Sequence, residues 1–205
     1  MTAIPLSPID YIFTGVGSQP ITFAFSYPTI IDSDILQKSL NETLDHFPIL
    51  RSQLHKISET DYEFLMTEDG LTFDVIESNL TFEESRNIKQ YIAPVNSIEG
   101  KPLTKITLTQ TPKGSILAVS ISHALVDGFS YFHFLSSWAR LCRGDRIIEP
   151  YLDRKVLLSN LKPSTKTITS ENIYTDCGLF YGGKRQTGSG NDERMFISNE
   201  TLTSC

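Results

Sequence analysis

The stretch "SILAVSISHALVDGFSYFHFLSSWARLCR", Ser115–Arg143, changes its hydrophobic period halfway along its length. Its first eight residues are mostly apolar, which is typical of a central strand whose two faces are both buried. After Gly128 the apolar residues recur at helical spacing in two adjoining stripes, which predicts a buried helix that ends at Gly144. The two stripes are Phe132, Leu135, Ala139 and Cys142, and Phe134, Trp138 and Leu141. A short connection between strand and helix therefore carries His123 and Asp127.

The upstream sequence supplies further strands. The run "PLTKITLTQ", Pro102–Gln110, is joined to the central strand by Thr111–Gly114, so the two strands are predicted to pair as a hairpin. The run "QPITFAFSY", Gln19–Tyr27, alternates large apolar residues with smaller ones, which indicates a half-buried strand. Three more strand candidates are Gln53–Ile57, Tyr62–Met66 and Leu71–Ile76, with the acidic turn Glu68–Gly70 between the last two.

Helical periodicity appears in "DSDILQKSLNETLDHFP", Asp32–Pro48. Asp32 and Ser33 are candidate N-terminal caps, and Pro48 is expected to stop the helix. The apolar residues at helical spacing are Leu36, Leu40, Leu44 and Phe47. A second, short helix is expected over Phe82–Tyr91.

These elements predict an α/β fold, a two-layer sandwich of a mixed β-sheet with helices, over residues 1–160. The periodicities place these residues in its core: Leu36, Leu40, Leu44, Val119, Ile121, Leu135 and Trp138. Residues 161–193 are expected to form a crossover linker or mobile loop, because their Ser, Thr, Gly and Lys content offers little apolar surface to bury. Residues 194–205 are expected to begin a second, truncated domain.

The composition limits the possible classes of function. The 205 residues carry a net charge of -6, and the 18 Lys and Arg residues are scattered, whereas a nucleic acid partner requires a clustered basic surface. No run approaches about 18 apolar residues, and the first residues lack a secretory signal, so we expect a soluble, cytoplasmic protein without a membrane segment. Cys142, Cys177 and Cys205 are odd in number and lack metal-ligand spacing, which fits a reducing compartment.

His123 is the candidate catalytic residue. At the end of a rigid strand its side chain can project into a cleft, and an imidazole titrates near pH 6.5, where it can accept a proton from an alcohol or amine. Asp127 is expected to hold the connection through a charged hydrogen bond, and Gly128 to allow a sharp turn without a Cβ clash. The alternative is ordinary pairing, since a histidine four residues before an aspartate is common on surfaces and in cores.

No metal site is expected. A site made of His123, Asp127 and His133 lacks the second carboxylate or the cysteine that such a site needs at the usual spacing. His133 lies within the aromatic helix and is expected to pack against its neighbours. His46 and His55 have no comparable setting.

Four blocks of the sequence resemble the BAHD acyltransferases, both in their order along the chain and in their pattern of residue types. They are "IPLSPIDYIF", "LQKSLNETLDHFPILRSQL", "EGKPLTKITLTQ" and "SISHALVDGFSYFHFLSSWARLCRG". Like chloramphenicol acetyltransferase and peptide-synthetase condensation domains, this family carries a His-x-x-x-Asp-Gly motif, which His123, Asp127 and Gly128 match. The resemblance covers the first 150 residues and implies the N-terminal half of a chloramphenicol acetyltransferase-like fold.

The resemblance also implies a function. The protein would be an enzyme of secondary metabolism that moves an acyl group from acyl-CoA to a hydroxyl or amine. His123 would take the proton of the acceptor, which attacks the thioester, while Asp127 and Gly128 would be structural. Acyl-CoA would be a co-substrate, with no permanently bound cofactor, and the other partner a small alcohol or amine.

The sequence departs from the family pattern in one respect. Family members have a second domain that supplies an Asp-Phe-Gly-Trp-Gly segment, whereas Trp138 is the only tryptophan of this sequence. Two interpretations follow. In one, these residues are the N-terminal part of an acyltransferase that needs a complementary C-terminal domain or subunit. In the other, they form a noncatalytic remnant or binding module that keeps the half-fold.

Overall fold

In the computed structural model, residues 2–59, 61–81, 84 and 87–153 are described. The expected linker 161–193 and the expected second-domain strand in 194–205 lie outside these residues, as do positions 82, 83, 85 and 86 of the short helix predicted upstream of Tyr91. At the end of that predicted helix the chain forms a 3₁₀ turn, Ile88–Tyr91. No helix in the described ranges is long and apolar enough to cross a membrane.

The described residues form seven strands and two α-helices. The strands are β1 (Ala3–Pro5), β2 (Ile21–Tyr27), β3 (Ser52–Lys56), β4 (Tyr62–Met66), β5 (Leu71–Glu77), β6 (Thr104–Thr111) and β7 (Gly114–Ile121). The helices are α1 (Ser33–His46) and α2 (Gly128–Cys142). These bounds confirm the mixed α/β class and agree with the predicted strands to within a residue or two.

The larger sheet has the strand order β2-β7-β6-β5. All eight residues of β7 are buried, which confirms that this mostly apolar strand is central. β6 and β7 form the predicted hairpin, in which Thr111 pairs with Gly114. β5 runs parallel to β6, so the sheet is mixed.

The prediction of one sheet is wrong, because β1, β4 and β3 form a second, antiparallel sheet of their own. The turn Glu68–Gly70 does not close a hairpin between β4 and β5 but carries the chain from one sheet to the other. Thr67 N donates to Arg51 O at 2.9 Å, and a Cβ at Gly70 would lie 2.1 Å from the same oxygen. The chain therefore turns tightly against the end of the 3₁₀ segment Pro48–Arg51, and only glycine fits at position 70.

Helix α1 begins and ends as its sequence predicts. The Asp32 carboxylate accepts hydrogen bonds from the backbone N–H groups of Asp34 and Ile35, at 2.9 and 3.0 Å, and so caps the first turn. The helix ends at His46, two residues before Pro48. Its apolar stripe faces the core, as the periodicity requires.

Helix α2 packs against α1 across a core that matches the predicted one. Six of the seven predicted residues are buried, and Leu135 is partly buried against the same cluster. The Trp138 indole donates to Leu36 O at 3.2 Å and contacts Ser39 Oγ at 3.1 Å. The two helices are therefore joined by a buried polar contact as well as by apolar packing.

Candidate active site

His123 lies in the connection between β7 and α2, as the sequence predicts. Ser122 N donates to Leu103 O at 2.8 Å, and Leu125 N donates back to Ser122 O at 3.0 Å, which closes a tight turn around the histidine. Ala124, Leu125 and Val126 are buried, whereas His123 is partly exposed. The backbone on both sides of His123 is thus fixed by buried contacts while its ring reaches the surface.

The His123 ring has a distinct environment. It stacks on the ring of Phe13, with the centroids 4.0 Å apart and the planes inclined by 12°. Its Nδ1 atom is buried and has no hydrogen-bond partner among the described residues. One face and one nitrogen of the imidazole are therefore covered by protein, which leaves Nε2 as the nitrogen available to a substrate.

Buried serines attach two neighbouring segments, around Gly15 and around Ser97, to β7 and to the residue that follows it. The hydroxyls of Ser97 and Ser122 lie 2.6 Å apart, and Gly15 N donates to Ser97 O at 2.7 Å. Val95 N donates at 3.1 Å to the hydroxyl of Ser120, which lies within β7. The loop that ends in Gly15 and the segment around Ser97 are thereby held beside His123. Neither contact is predictable from the sequence, because an isolated serine or glycine carries no periodic signal.

Asp127 caps helix α2. Its exposed carboxylate accepts a 2.7 Å hydrogen bond from Ser130 N, and its backbone oxygen accepts the first helical bond from Tyr131 N at 2.9 Å. Hydrogen bonds from the backbone and then the hydroxyl of Ser130 hold the pKa of the Asp127 carboxyl below its ordinary value. In this structure Asp127 fastens the connection through these bonds.

Gly128 is the first residue of α2, and the expected steric reason for a glycine there is wrong. A Cβ built on Gly128 would meet no atom within 4 Å, and its backbone is not in the left-handed region. The turn is made instead by the extended backbone at Asp127, which is the usual conformation of a capping residue.

The structure does not bring His133 to His123. His133 Nε2 lies 2.9 Å from Ile148 O, and its ring packs edge-on against Phe47 with the centroids 5.4 Å apart. This packing confirms the expectation for His133. No group of three or more potential metal ligands occurs among the residues that the structure describes.

An apolar groove lies apart from His123, between β2 and the two helices. Its volume is about 450 Å³. It is lined by Phe25, Tyr27, Ile31, Leu36, Leu117, Phe132, Leu135, Ser136, Trp138, Ala139, Cys142 and Arg143. The Cys142 thiol at its rim belongs to the last residue of α2 and is exposed.

Solved structures of other proteins share this fold. TRI101 of F. graminearum, solved with coenzyme A and T-2 mycotoxin, superposes with a TM-score of 0.65 at 21% identity, over 85% of this chain and 47% of that one. The epimerization domain from the third module of tyrocidine synthetase B gives a TM-score of 0.58 at 18% identity, over 73% of this chain and 37% of that one. The fold therefore resembles one half of the chloramphenicol acetyltransferase-like fold.

The family follows from the sequence comparison. The pattern of the Transferase family matches residues 2–182, and the chain belongs to this family, that of the BAHD acyltransferases. It is 33% identical over 137 residues to the BAHD acyltransferase DCR of Arabidopsis thaliana, a match that covers 58% of this chain and 28% of the relative.

A hydroxycinnamoyltransferase of Narcissus pseudonarcissus is 27% identical over 144 residues, covering 65% of this chain and 33% of the relative. The chain thus spans about a third of the length of these curated relatives.

Proposed function

We propose that this chain is the histidine-bearing half of an acyltransferase that moves an acyl group from acyl-CoA to a hydroxyl or amine, with His123 as the general base. One observation carries the proposal. His123 stands at the end of a buried strand, with its Nδ1 covered and one ring face on Phe13. A base held in this way can accept a proton at Nε2 without moving the backbone.

The reaction needs no other catalytic group from these residues. Nε2 of His123 takes the proton of the acceptor O–H or N–H while the oxygen or nitrogen bonds to the thioester carbonyl carbon. The tetrahedral adduct then collapses, the carbon–sulfur bond breaks, and the proton passes from the imidazolium to the departing sulfur, which leaves as the CoA thiol. Because a thiolate is a good leaving group, the acceptor is the reactant that requires activation.

A protein nucleophile is disfavoured by the positions of the candidate side chains. The Ser122 hydroxyl next to His123 is fully buried and lies 2.6 Å from the Ser97 hydroxyl, so it cannot meet a substrate. Cys142 is exposed but lies at the far end of α2, about 20 Å along the helix from its start. Direct attack of the acceptor on the thioester is therefore the favoured route.

The proposal includes a complementary domain, in the same chain or in another subunit. Support comes from the relatives, of which the matched region is about a third, and from TRI101, whose chain is about twice the matched length and was solved with coenzyme A. That domain would supply the rest of the acyl-CoA and acceptor site. The cytoplasm is the proposed compartment, since acyl-CoA is made and used inside the cell.

A chimera tests the proposal. The part of the Arabidopsis relative that follows its matched segment is joined after Asn160, and the product is incubated with mixed acyl-CoAs and small alcohols and amines. Mass spectrometry is expected to show acylated product and free CoA. His123→Ala is expected to remove turnover, by roughly 100-fold or more.

His55→Ala is the control, because His55 is an exposed histidine on β3, outside the proposed site, and pairs with Glu63 at 2.9 Å. It is expected to leave turnover unchanged. Equal turnover in wild type and His123→Ala would overturn the mechanism. A folded chimera that neither binds acyl-CoA nor turns over would instead favour the noncatalytic binding module.

A further inference from the structure

We propose that Phe13 is a positioning residue that fixes the plane of the His123 imidazole, an inference that rests on the proposed function of His123 as the base. The two rings are nearly parallel, at 12°, with centroids 4.0 Å apart. Such close face contact is lost when either ring rotates appreciably out of the common plane. The two residues are 110 positions apart in the chain, so the contact is a product of the tertiary fold.

Phe13 itself is held in place by its own loop. It is the last residue of the 3₁₀ helix Asp10–Phe13, whose Asp10 is buried and accepts a 2.7 Å hydrogen bond from Ser7 N. The Thr14 hydroxyl donates back to Tyr11 O at 2.9 Å. The Phe13 ring also packs against the hydrophobic core, so the loop presents a fixed aromatic face.

The loop that carries Phe13 is also attached to the backbone that carries His123. Gly15, with a φ of +86°, donates its N–H to Ser97 O at 2.7 Å, and the Ser97 hydroxyl meets the Ser122 hydroxyl at 2.6 Å. Ser122 immediately precedes His123. Hydrogen bonds to Ser97 therefore link the loop that carries Phe13 to the backbone that carries His123. The spacing of the two stacked rings does not depend on packing alone.

Among the residues that the structure describes, no other group orients the His123 ring. The terminal torsion of a histidine has broad minima, and catalytic histidines are usually oriented by a hydrogen bond to the second ring nitrogen. Here the buried Nδ1 has no such partner among the described residues, and the Asp127 carboxylate is turned to Ser130. The aromatic face of Phe13 takes the place of that orienting hydrogen bond.

A positioning role predicts a particular kinetic pattern. In the chimera, Phe13→Leu keeps an apolar side chain but removes the flat face, and is expected to lower kcat by about 10- to 100-fold with KM changed less than about 3-fold. Phe13→Tyr keeps the face and is expected to restore kcat to within about 3-fold of wild type. A purely structural role would make both variants lose activity in proportion to their loss of folded protein.

A second experiment, which is independent of activity, records NMR spectra of the 205-residue chain with ¹³C-labelled histidine. The His123 ring protons are expected to resonate upfield of those of His46 and His55, because they lie over the Phe13 ring. This shift should disappear in Phe13→Leu and persist in Phe13→Tyr. Phe132→Leu is the control, because Phe132 is an exposed aromatic residue that stacks on no histidine in the described structure.

The outcomes separate the two proposals. Turnover in His123→Ala equal to wild type defeats the proposed function, whatever Phe13 does. If turnover depends on His123 but Phe13→Leu has wild-type kcat, or if the wild-type ring protons show no upfield shift, the positioning role is overturned. Should Phe13→Leu fail to fold, Phe13→Met provides the same comparison. Loss of kcat in the aliphatic variant with rescue by tyrosine supports the inference.

Discussion

The phenol of Tyr131 in α2 donates a 2.8 Å hydrogen bond to the backbone oxygen of Val119 in β7. Both residues are fully buried, and burial raises the pKa of the Tyr131 phenol, so this donor stays protonated. The bond joins the strand before His123 to the helix after it. The geometry of the connection between them is therefore set from inside the core.

Tyr131→Phe removes this bond and leaves Val119 O without the phenol. We expect the free energy of unfolding to fall by about 0.5–1.5 kcal/mol, the usual net contribution of an intramolecular hydrogen bond. Urea unfolding followed by Trp138 fluorescence measures it. Tyr151→Phe is the control, since Tyr151 is 78% exposed, and should change stability by less than about 0.5 kcal/mol. Equal stability of both variants would contradict the prediction.

Asp127→Ala removes the cap of α2 and is expected to lower stability by about 1 kcal/mol at pH 7. Asp127→Asn keeps a side-chain oxygen that can accept a hydrogen bond from Ser130 N, so its free energy of unfolding should fall by only a few tenths of a kcal/mol. Urea unfolding of both variants against wild type gives the comparison. A loss in Asp127→Asn as large as in Asp127→Ala would show that charge, not capping, is what matters.

The difference in stability between wild type and Asp127→Ala should depend on pH. Hydrogen bonds from Ser130 lower the pKa of Asp127 in the folded state, so its stabilising contribution is present above the ordinary carboxyl pKa of about 3.9. That contribution declines as the pH falls below this value and is lost once the pH passes through the lowered folded pKa. The stability gap between wild type and Asp127→Ala should therefore narrow below about pH 4, whereas a constant gap would be inconsistent with this carboxylate as the cause.

The hydroxyls of Ser97 and Ser122 form a buried pair whose loss is measurable. Either single alanine substitution is expected to cost about 1–3 kcal/mol, because the remaining hydroxyl loses a buried partner. The double substitution should cost less than the sum of the two, which is the signature of a direct interaction. Ser136→Ala on the exposed face of α2 is the control. Strict additivity of the pair would argue against the contact.

Two glycines should respond in opposite ways to alanine. A Cβ on Gly114 would lie 2.0 Å from Tyr27 O, a backbone atom, so Gly114→Ala is expected to cost about 3 kcal/mol or more. Gly128 has open space and an ordinary helical backbone, so Gly128→Ala should raise stability by about 0.4–1 kcal/mol. Thermal unfolding tests both. A drop in stability for Gly128→Ala would contradict the open space around this residue.

Much of the fold is encoded in local periodicity and is therefore readable from the sequence. The apolar run that becomes β7, the helical stripes of α1 and α2 and the hairpin before His123 all depend on neighbouring residues. The position of His123 at the strand end followed from these elements alone. The division of the strands into two sheets did not, because a period of two does not specify which sheet a strand joins.

The surroundings of His123 depend on contacts between distant residues. Phe13 lies 110 positions before the histidine that it stacks on, and Ser97 meets Ser122 across 25 positions. Nothing in the local pattern distinguishes Phe13 from any other apolar residue near a strand. At Gly128 the sequence suggested a steric need that the structure lacks, because the capping aspartate makes the turn.

The pairing of β2 with β7 has a consequence for how the chain is made. Ile21 pairs with Ile121, so β2 leaves the ribosome 100 residues before its partner. Protein synthesis proceeds at roughly 5–20 residues per second, so the uncharged segment "ITFAFSY" is exposed for about 5–20 s before its partner strand is made. His123 lies two residues after the end of β7, so the same late step that shields this aggregation-prone segment also assembles the site. Slowed synthesis between residues 27 and 115 should therefore lower the yield of soluble protein.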